Sequence, residues 1–176
     1  ADWSSDVCSS DLFGGLAAVA EGGLKGVNIG GLACVSQEEM WGLNFGGLAI
    51  VAEEGITGLN IGGAALVAGD ETMTGFNITV GKAVSEKQIN GITIAGYKTE
   101  TLDLNGINIS PVWMETYNLR GFSASLYNLV ENRQTGLTIG LVNSAEALHG
   151  IQLGIINVAR NNSGIFKVLP LINAHF

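Results

Sequence analysis

The chain has 176 residues, enough for one domain with one core; 47% are hydrophobic, 14% are charged, and there are 26 Gly against 2 Pro. That apolar content excludes disorder, and a net charge of −8 argues against nucleic acid as a partner, since phosphate binding needs clustered Lys and Arg. No apolar run approaches the roughly 18 residues of a membrane helix, and the two cysteines, Cys8 and Cys34, form neither a disulfide framework nor a metal-ligand spacing.

The first segment, "DWSSDVCSSDL" at 2–12, is acidic and serine-rich, and nothing after it is like it. From Phe13 on, the chain repeats. A glycine recurs at Gly26, Gly42, Gly58, Gly75, Gly91, Gly106, Gly121, Gly136, Gly150 and Gly164, at intervals of 14 to 17 residues. A large apolar residue follows each one, as in Val27, Leu43 and Leu59. Then comes a small polar or amide residue, and then an apolar one again. Another apolar residue stands two places before most of these glycines, as in Leu24, Met40, Ile56 and Met73.

"FGGLAAVAE" at 13–21 aligns without a gap on "FGGLAIVAE" at 45–53, so the residues before Phe13 should read Gly-Leu-Asn; they read Ser-Asp-Leu. The peptide at 2–12 resembles one translated frame of a sequencing-library adaptor. Residues 1–12 are therefore expected to be an artefactual, non-native segment that makes no ladder contact. Residues 13–176 are expected to form a single, N-terminally truncated repeat domain, any signal peptide having been lost with the natural start.

Within each unit, "GLNIG", "GFNIT", "GITIA", "GINIS", "GLTIG" and "GIQLG" alternate apolar and polar residues with period two, which predicts strands. The stretches between them, such as "SQEE", "AEEG" and "AGDET", read as turns and carry most of the charge. No unit carries a helical period. The fold class is all-β, and two architectures fit. In a parallel β-solenoid each unit is one coil, and like residues stack at about 4.8 Å. In an up-and-down antiparallel outer-membrane β-barrel each unit is one strand. The barrel should show turns of alternating length, and the sequence shows none, so the solenoid is preferred. The apolar alternation of "KVLPLINAHF" at the end favours the barrel.

In the solenoid Asn28, Asn44, Asn60, Asn77 and Asn108 form a structural ladder of stacked amides, preferred over an outward row that contacts a carbohydrate or a protein; in a barrel they would fall at alternating ends. Ile29, Phe45, Ile61, Ile78, Ile94, Ile109, Ile139 and Leu153 form an apolar column, expected to be core. Chemistry is scarce. Glu21, Glu38, Glu53 and Asp70 recur in turns, where stacked carboxylates suit a hard cation, but a solvated turn face explains them better. Cys34 reads as a small core residue, with no pattern linking it to His149 or His175. The glycine pairs Gly30-Gly31, Gly46-Gly47 and Gly62-Gly63 suit corners rather than phosphate loops. Trp41, Trp113, Tyr117, Phe122 and Tyr127 do not recur at one repeat position, so no aromatic stripe is expected. No catalytic, cofactor-binding or metal residue emerges, and no cofactor is implied.

The units "GLTIGLVNSAEALH" and "GIQLGIINVARNNS", followed by "VLPLINAHF", resemble a group of surface-repeat proteins of Gram-negative bacteria. The resemblance covers residues 13–176. It implies a cell-envelope location, in the outer membrane or at the cell surface, and neither a reaction nor a ligand. The expected function is a non-enzymatic surface or envelope repeat protein with a structural or adhesin-like role; the alternatives are an integral outer-membrane barrel and an enzyme. The partners to expect are an outer membrane, a surface protein or glycan, and a second copy associating end to end.

Overall fold

The computed structural model describes residues 10–176. The chain winds as a parallel β-solenoid of about nine turns. Long strands β1 (Ser10–Gly14), β3 (Leu24–Gly30), β5 (Met40–Gly46), β7 (Ile56–Gly62) and β9 (Thr72–Thr79) stack in parallel. Short strands β2 (Ala17–Ala20), β4 (Ala33–Ser36), β6 (Ala49–Ala52) and β8 (Ala65–Ala68) stack on the other side of each coil. The strands β10 (Lys82–Ala95), β11 (Lys98–Ile109), β12 (Trp113–Ala124), β13 (Tyr127–Ile139) and β14 (Val142–Ala159) each run one short strand directly into the next long one. From β11 on the unit is also shorter, 14 or 15 residues against the earlier 16 or 17.

The barrel alternative is excluded, because every pairing from β1 to β14 is parallel. Among the described residues the one antiparallel pair joins β14 to β15 (Val168–His175), reached through a 3₁₀ turn at Gly164–Lys167. The terminal apolar alternation therefore belongs to a strand folded back over the last coil. Gly164 lies in that turn, so the tenth glycine of the alignment is not a coil glycine.

The repeated glycine is a steric requirement. Gly42 has φ +120, and a Cβ there would lie 2.1 Å from the carbonyl oxygen of Gly26 in the coil below. The same contact recurs at Gly58, 2.0 Å from Gly42 O. An L side chain meets both a disfavoured φ and a backbone clash.

The apolar column is on the other face from the one expected. Ile29, Ile109 and Ile139 are exposed, and Phe45, Ile61, Ile78, Ile94 and Leu153 are only half-buried. Alternation with period two defines two faces without saying which is inside. The ladder amides are the ones inside: Asn28, Asn44, Asn60, Asn77 and Asn108 are all 0% exposed. Apolar burial comes from two other columns. One is Leu24, Met40, Ile56, Met73, Ile89 and Leu104, two residues before the coil glycine; the other is Cys34, Ile50 and Leu66 on the short strands.

The ladder begins earlier than the sequence suggested. Ser10 pairs with Lys25 and, after a shift of register, Leu12 and Phe13 pair with Asn28 and Ile29, so the last residues of the adaptor-like peptide join the sheet. Residues 1–9 of that segment lie outside the described residues.

Candidate binding surface

Inside the coils, amides satisfy one another. Asn28 Nδ2 donates to Asn44 Oδ1, Asn44 to Asn60 and Asn60 to Asn77, each at 2.7 Å. The chain continues from Asn77 Nδ2 to Thr93 Oγ1 at 3.4 Å. Asn108 starts again, donating to Ser123 Oγ at 3.2 Å. Ser123 Oγ then donates across the interior to Asn128 Oδ1 at 2.9 Å. There a second ladder takes over on the short-strand side, Asn128 to Asn143 to Asn157, each step 2.8 Å. These bonds let polar side chains fill a buried space without an unpaired group in most coils. A glycan acceptor role for Asn77 or Asn108, whose "NIT" and "NIS" match the acceptor pattern, is ruled out by their burial.

The outside is organised in lengthwise columns too. The long strands present the Ile29–Leu153 column. Beyond it the chain turns a tight corner, where a Cβ on Gly47 would lie 2.0 Å from Gly31 O. That corner carries Leu16, Leu32, Leu48, Tyr97, Val112, Leu126, Leu141 and Ile155, one per coil, with exposures of 38 to 75%. Ala64 and the Val80-Gly81 pair fill the coils between, and Val80 is exposed. A shallow apolar notch of about 310 Å³ lies between Phe45, Ile61, Ile78 and Val80, over the corner glycines. On the short-strand side of the corner, Trp113 and Tyr127 stand in register and stack, with ring centroids 4.5 Å apart. Two aromatic residues thus share a repeat position, contrary to expectation; Trp113 stands seven residues after Gly106 and Tyr127 six after Gly121, which hides the match in an alignment on the glycines.

The opposite corner is acidic, carrying Glu38, Glu39, Glu53, Glu54, Asp70 and Glu71 between short and long strands. Beside it, Glu86, Glu100, Glu115 and Glu131 line a cleft of about 370 Å³. Lys98 Nζ bridges Glu100 and Glu115 at 2.9 Å each. Burial works to lower the Lys98 pKa, but the hydrogen bonds and charges of the two carboxylates outweigh it and hold it above the usual lysine value. Among the described residues, no group of three or more His, Cys, Asp or Glu is placed to hold a metal ion.

Cys34 is buried, with Sγ 3.1 Å from Phe45 O, and burial raises its pKa, a small opposing pull coming from a backbone hydrogen bond at Gly30. The thiol is therefore kept in its protonated, unreactive form. His149 and His175 come together edge to face, ring centroids 5.8 Å apart, and His175 also contacts Asn162. Neither lies near Cys34 in the stack, since both belong to the last coil and its covering strand. The sequence reading missed the second ladder. Its signal was present as Asn128, Asn143 and Asn157, 15 and 14 residues apart in "YNL", "VNS" and "INV".

Comparison with protein-family models, with curated proteins and with solved structures returns no match for this chain.

Proposed function

We propose that the chain is a non-enzymatic repeat module of the cell envelope that works by binding, in a structural or adhesin-like role, through its apolar corner. The observation that carries this is the corner column itself. An apolar residue is held exposed in coil after coil, next to the Ile29–Leu153 column, with acidic residues gathered at the opposite corner. Contiguous exposed apolar surface of this extent marks interaction sites in folded proteins. The repeat geometry suits the role, because a solenoid extends one contact pattern along its whole length.

The test is binding of bis-ANS to the native chain. Leu32→Gln combined with Leu48→Gln and Leu126→Gln should abolish most of it while the β-sheet circular dichroism stays unchanged. Equal dye binding by parent and variant places the working surface elsewhere and removes this reading.

A further inference from the structure

From the shape and charge of this corner we infer that its partner is a lipid surface, specifically the headgroup–acyl boundary of a zwitterionic bilayer, with the solenoid lying lengthwise along it. This rests on the reading of the apolar corner as the working surface.

Three observations point to lipid rather than protein. The first is shape. The corner is a ridge one residue wide, since Leu32 follows the tight Gly30-Gly31 turn and β4 departs at once. Nine steps of about 4.8 Å make it roughly 43 Å long. Two such ridges, or a ridge and a flat sheet, touch only along a line. That falls short of the roughly 800 Å² per partner of a stable protein interface. Acyl chains instead close around both flanks, covering the Ile column on one side and Ala33, Ala49 and Ala65 on the other.

The second observation is composition. Leucine recurs along the ridge and Tyr97 joins it, with Trp113 and Tyr127 on its flank. Aromatic side chains with one polar end settle at the level of lipid headgroups, which suits the half-exposed Tyr97, whereas the indole N–H of Trp113 is buried. The lysines immediately beside the ridge are Lys82, in register with Ala65, and Lys98, in register with Trp113, whose ammonium is held by Glu100 and Glu115. The long stem of Lys82 allows its ammonium to reach headgroup phosphate while the methylenes stay in apolar surroundings.

The third observation is charge segregation. The acidic corner lies on the far side of the coil, and Glu100 and Glu115, nearer the ridge on the short-strand flank, are paired with Lys98, so insertion of the ridge leaves the corner carboxylates in water. With a net charge of −8, the chain is repelled by anionic lipid, which selects a neutral surface.

The experiment is flotation of the full chain with vesicles of phosphatidylcholine alone and of phosphatidylcholine mixed equally with phosphatidylglycerol. The parent should float with the neutral vesicles and bind the anionic ones several-fold more weakly at low salt, the difference shrinking as salt is added. In a Trp3→Phe, Trp41→Phe background, Trp113 emission should shift to the blue on binding. Leu32→Glu with Leu48→Glu and Leu126→Glu should weaken flotation at least tenfold while circular dichroism stays native. A parent that stays at the bottom of the gradient overturns the lipid assignment. If bis-ANS binding still responds to the corner variants in that case, the binding reading survives without the lipid. A ridge variant that floats as well as the parent also overturns it. So does a parent that is dimeric by light scattering and becomes monomeric on ridge substitution, which would make a second copy the partner.

Discussion

Substituting Leu12 by Asn should stabilise the first coils. Leu12 pairs in register with Asn28, as Asn28 pairs with Asn44 and Asn44 with Asn60. Each ladder amide donates towards the next coil, so the oxygen of each accepts from the one before. Asn28 Oδ1 is buried and has no hydrogen-bond partner among the described residues, because the residue at the donor's place is a leucine. An unpaired buried acceptor costs roughly 1–3 kcal/mol, and a new amide at position 12 would repeat a geometry that gives 2.7 Å three times over. Part of that gain is offset by fixing the new side chain. The expected net gain is about 1–2 kcal/mol, or roughly 2–8 °C in Tm for a chain of this size. Guanidinium unfolding measures it as a shift in midpoint at unchanged slope. Amide hydrogen exchange across β3 and β4 shows whether the gain sits in the first coils. A double-mutant cycle with Asn28→Ala isolates the ladder contribution. If Leu12→Asn is no more stable than Leu12→Ala, or if its gain persists after Asn28→Ala, the account of the ladder as an energetic unit is wrong.

Three further outcomes are expected. Ile56→Ala, at a fully buried position, should cost about 2–5 kcal/mol. Ile61→Ala, on the half-buried outer column, should cost about 1 kcal/mol or less; equal losses in denaturant unfolding would contradict the inside–outside assignment. Gly58→Ala should prevent native stacking, because its Cβ would lie 2.0 Å from Gly42 O at φ +119; a soluble variant with unchanged hydrogen exchange in β5 and β7 would refute the steric argument. Stability should fall in alkaline solution. Cys34 and Lys98 both have raised folded-state pKa values, against ordinary values of 9.0 and 10.5. A raised value means the folded state holds the proton more tightly. That stability is complete below the ordinary pKa and is lost as pH rises through the folded one. Cys34→Ala should remove the earlier part of the loss in a pH series of unfolding midpoints, leaving the part due to Lys98.

What the sequence shows well is whatever one coil must share with the next. The glycine recurs because only a residue without Cβ tolerates a carbonyl at about 2 Å, and the asparagines recur because each is the partner of its neighbour. Both constraints act between equivalent positions, so both appear as a period. The inside of the coil is harder to read. Hydropathy assigns Ile61 to the core and Asn60 to the surface, and the reverse holds because a stacked amide finds its partner in the next coil while Leu24 and Met40 fill the apolar share. The short-strand interior is harder still. Its column runs Cys34, Ile50, Leu66, Ala83, Thr99, Met114, Asn128, Asn143, one position whose chemistry drifts from apolar to amide. No residue type repeats for long enough to announce it. The drift also explains how two ladders join. As Asn gives way to Ser123 on the long strands, Asn128 appears on the short ones, and the hydrogen bond from Ser123 to Asn128 passes the network across the interior.

An amide interior changes what the surface residues must be there for. In most one-sided sheets the apolar residues of the alternating pattern are consumed by the core, and the outward positions are free to be polar. Here the inward positions after the coil glycine are taken by Asn, Thr, Ser and Gln, whose bonds set register between coils. The outward Ile, Leu and Phe contribute only partial burial to stability. Folding alone would tolerate Thr at those positions, and the corner residues Leu32, Leu48, Leu126 and Leu141 contribute less still, being about half exposed. Such a surface costs solubility in a chain that keeps its carboxylates on the far corner. A contact made by the corner, repeated along the stack on either side of Ala64 and Gly81, would supply a physical reason for leucine to recur there.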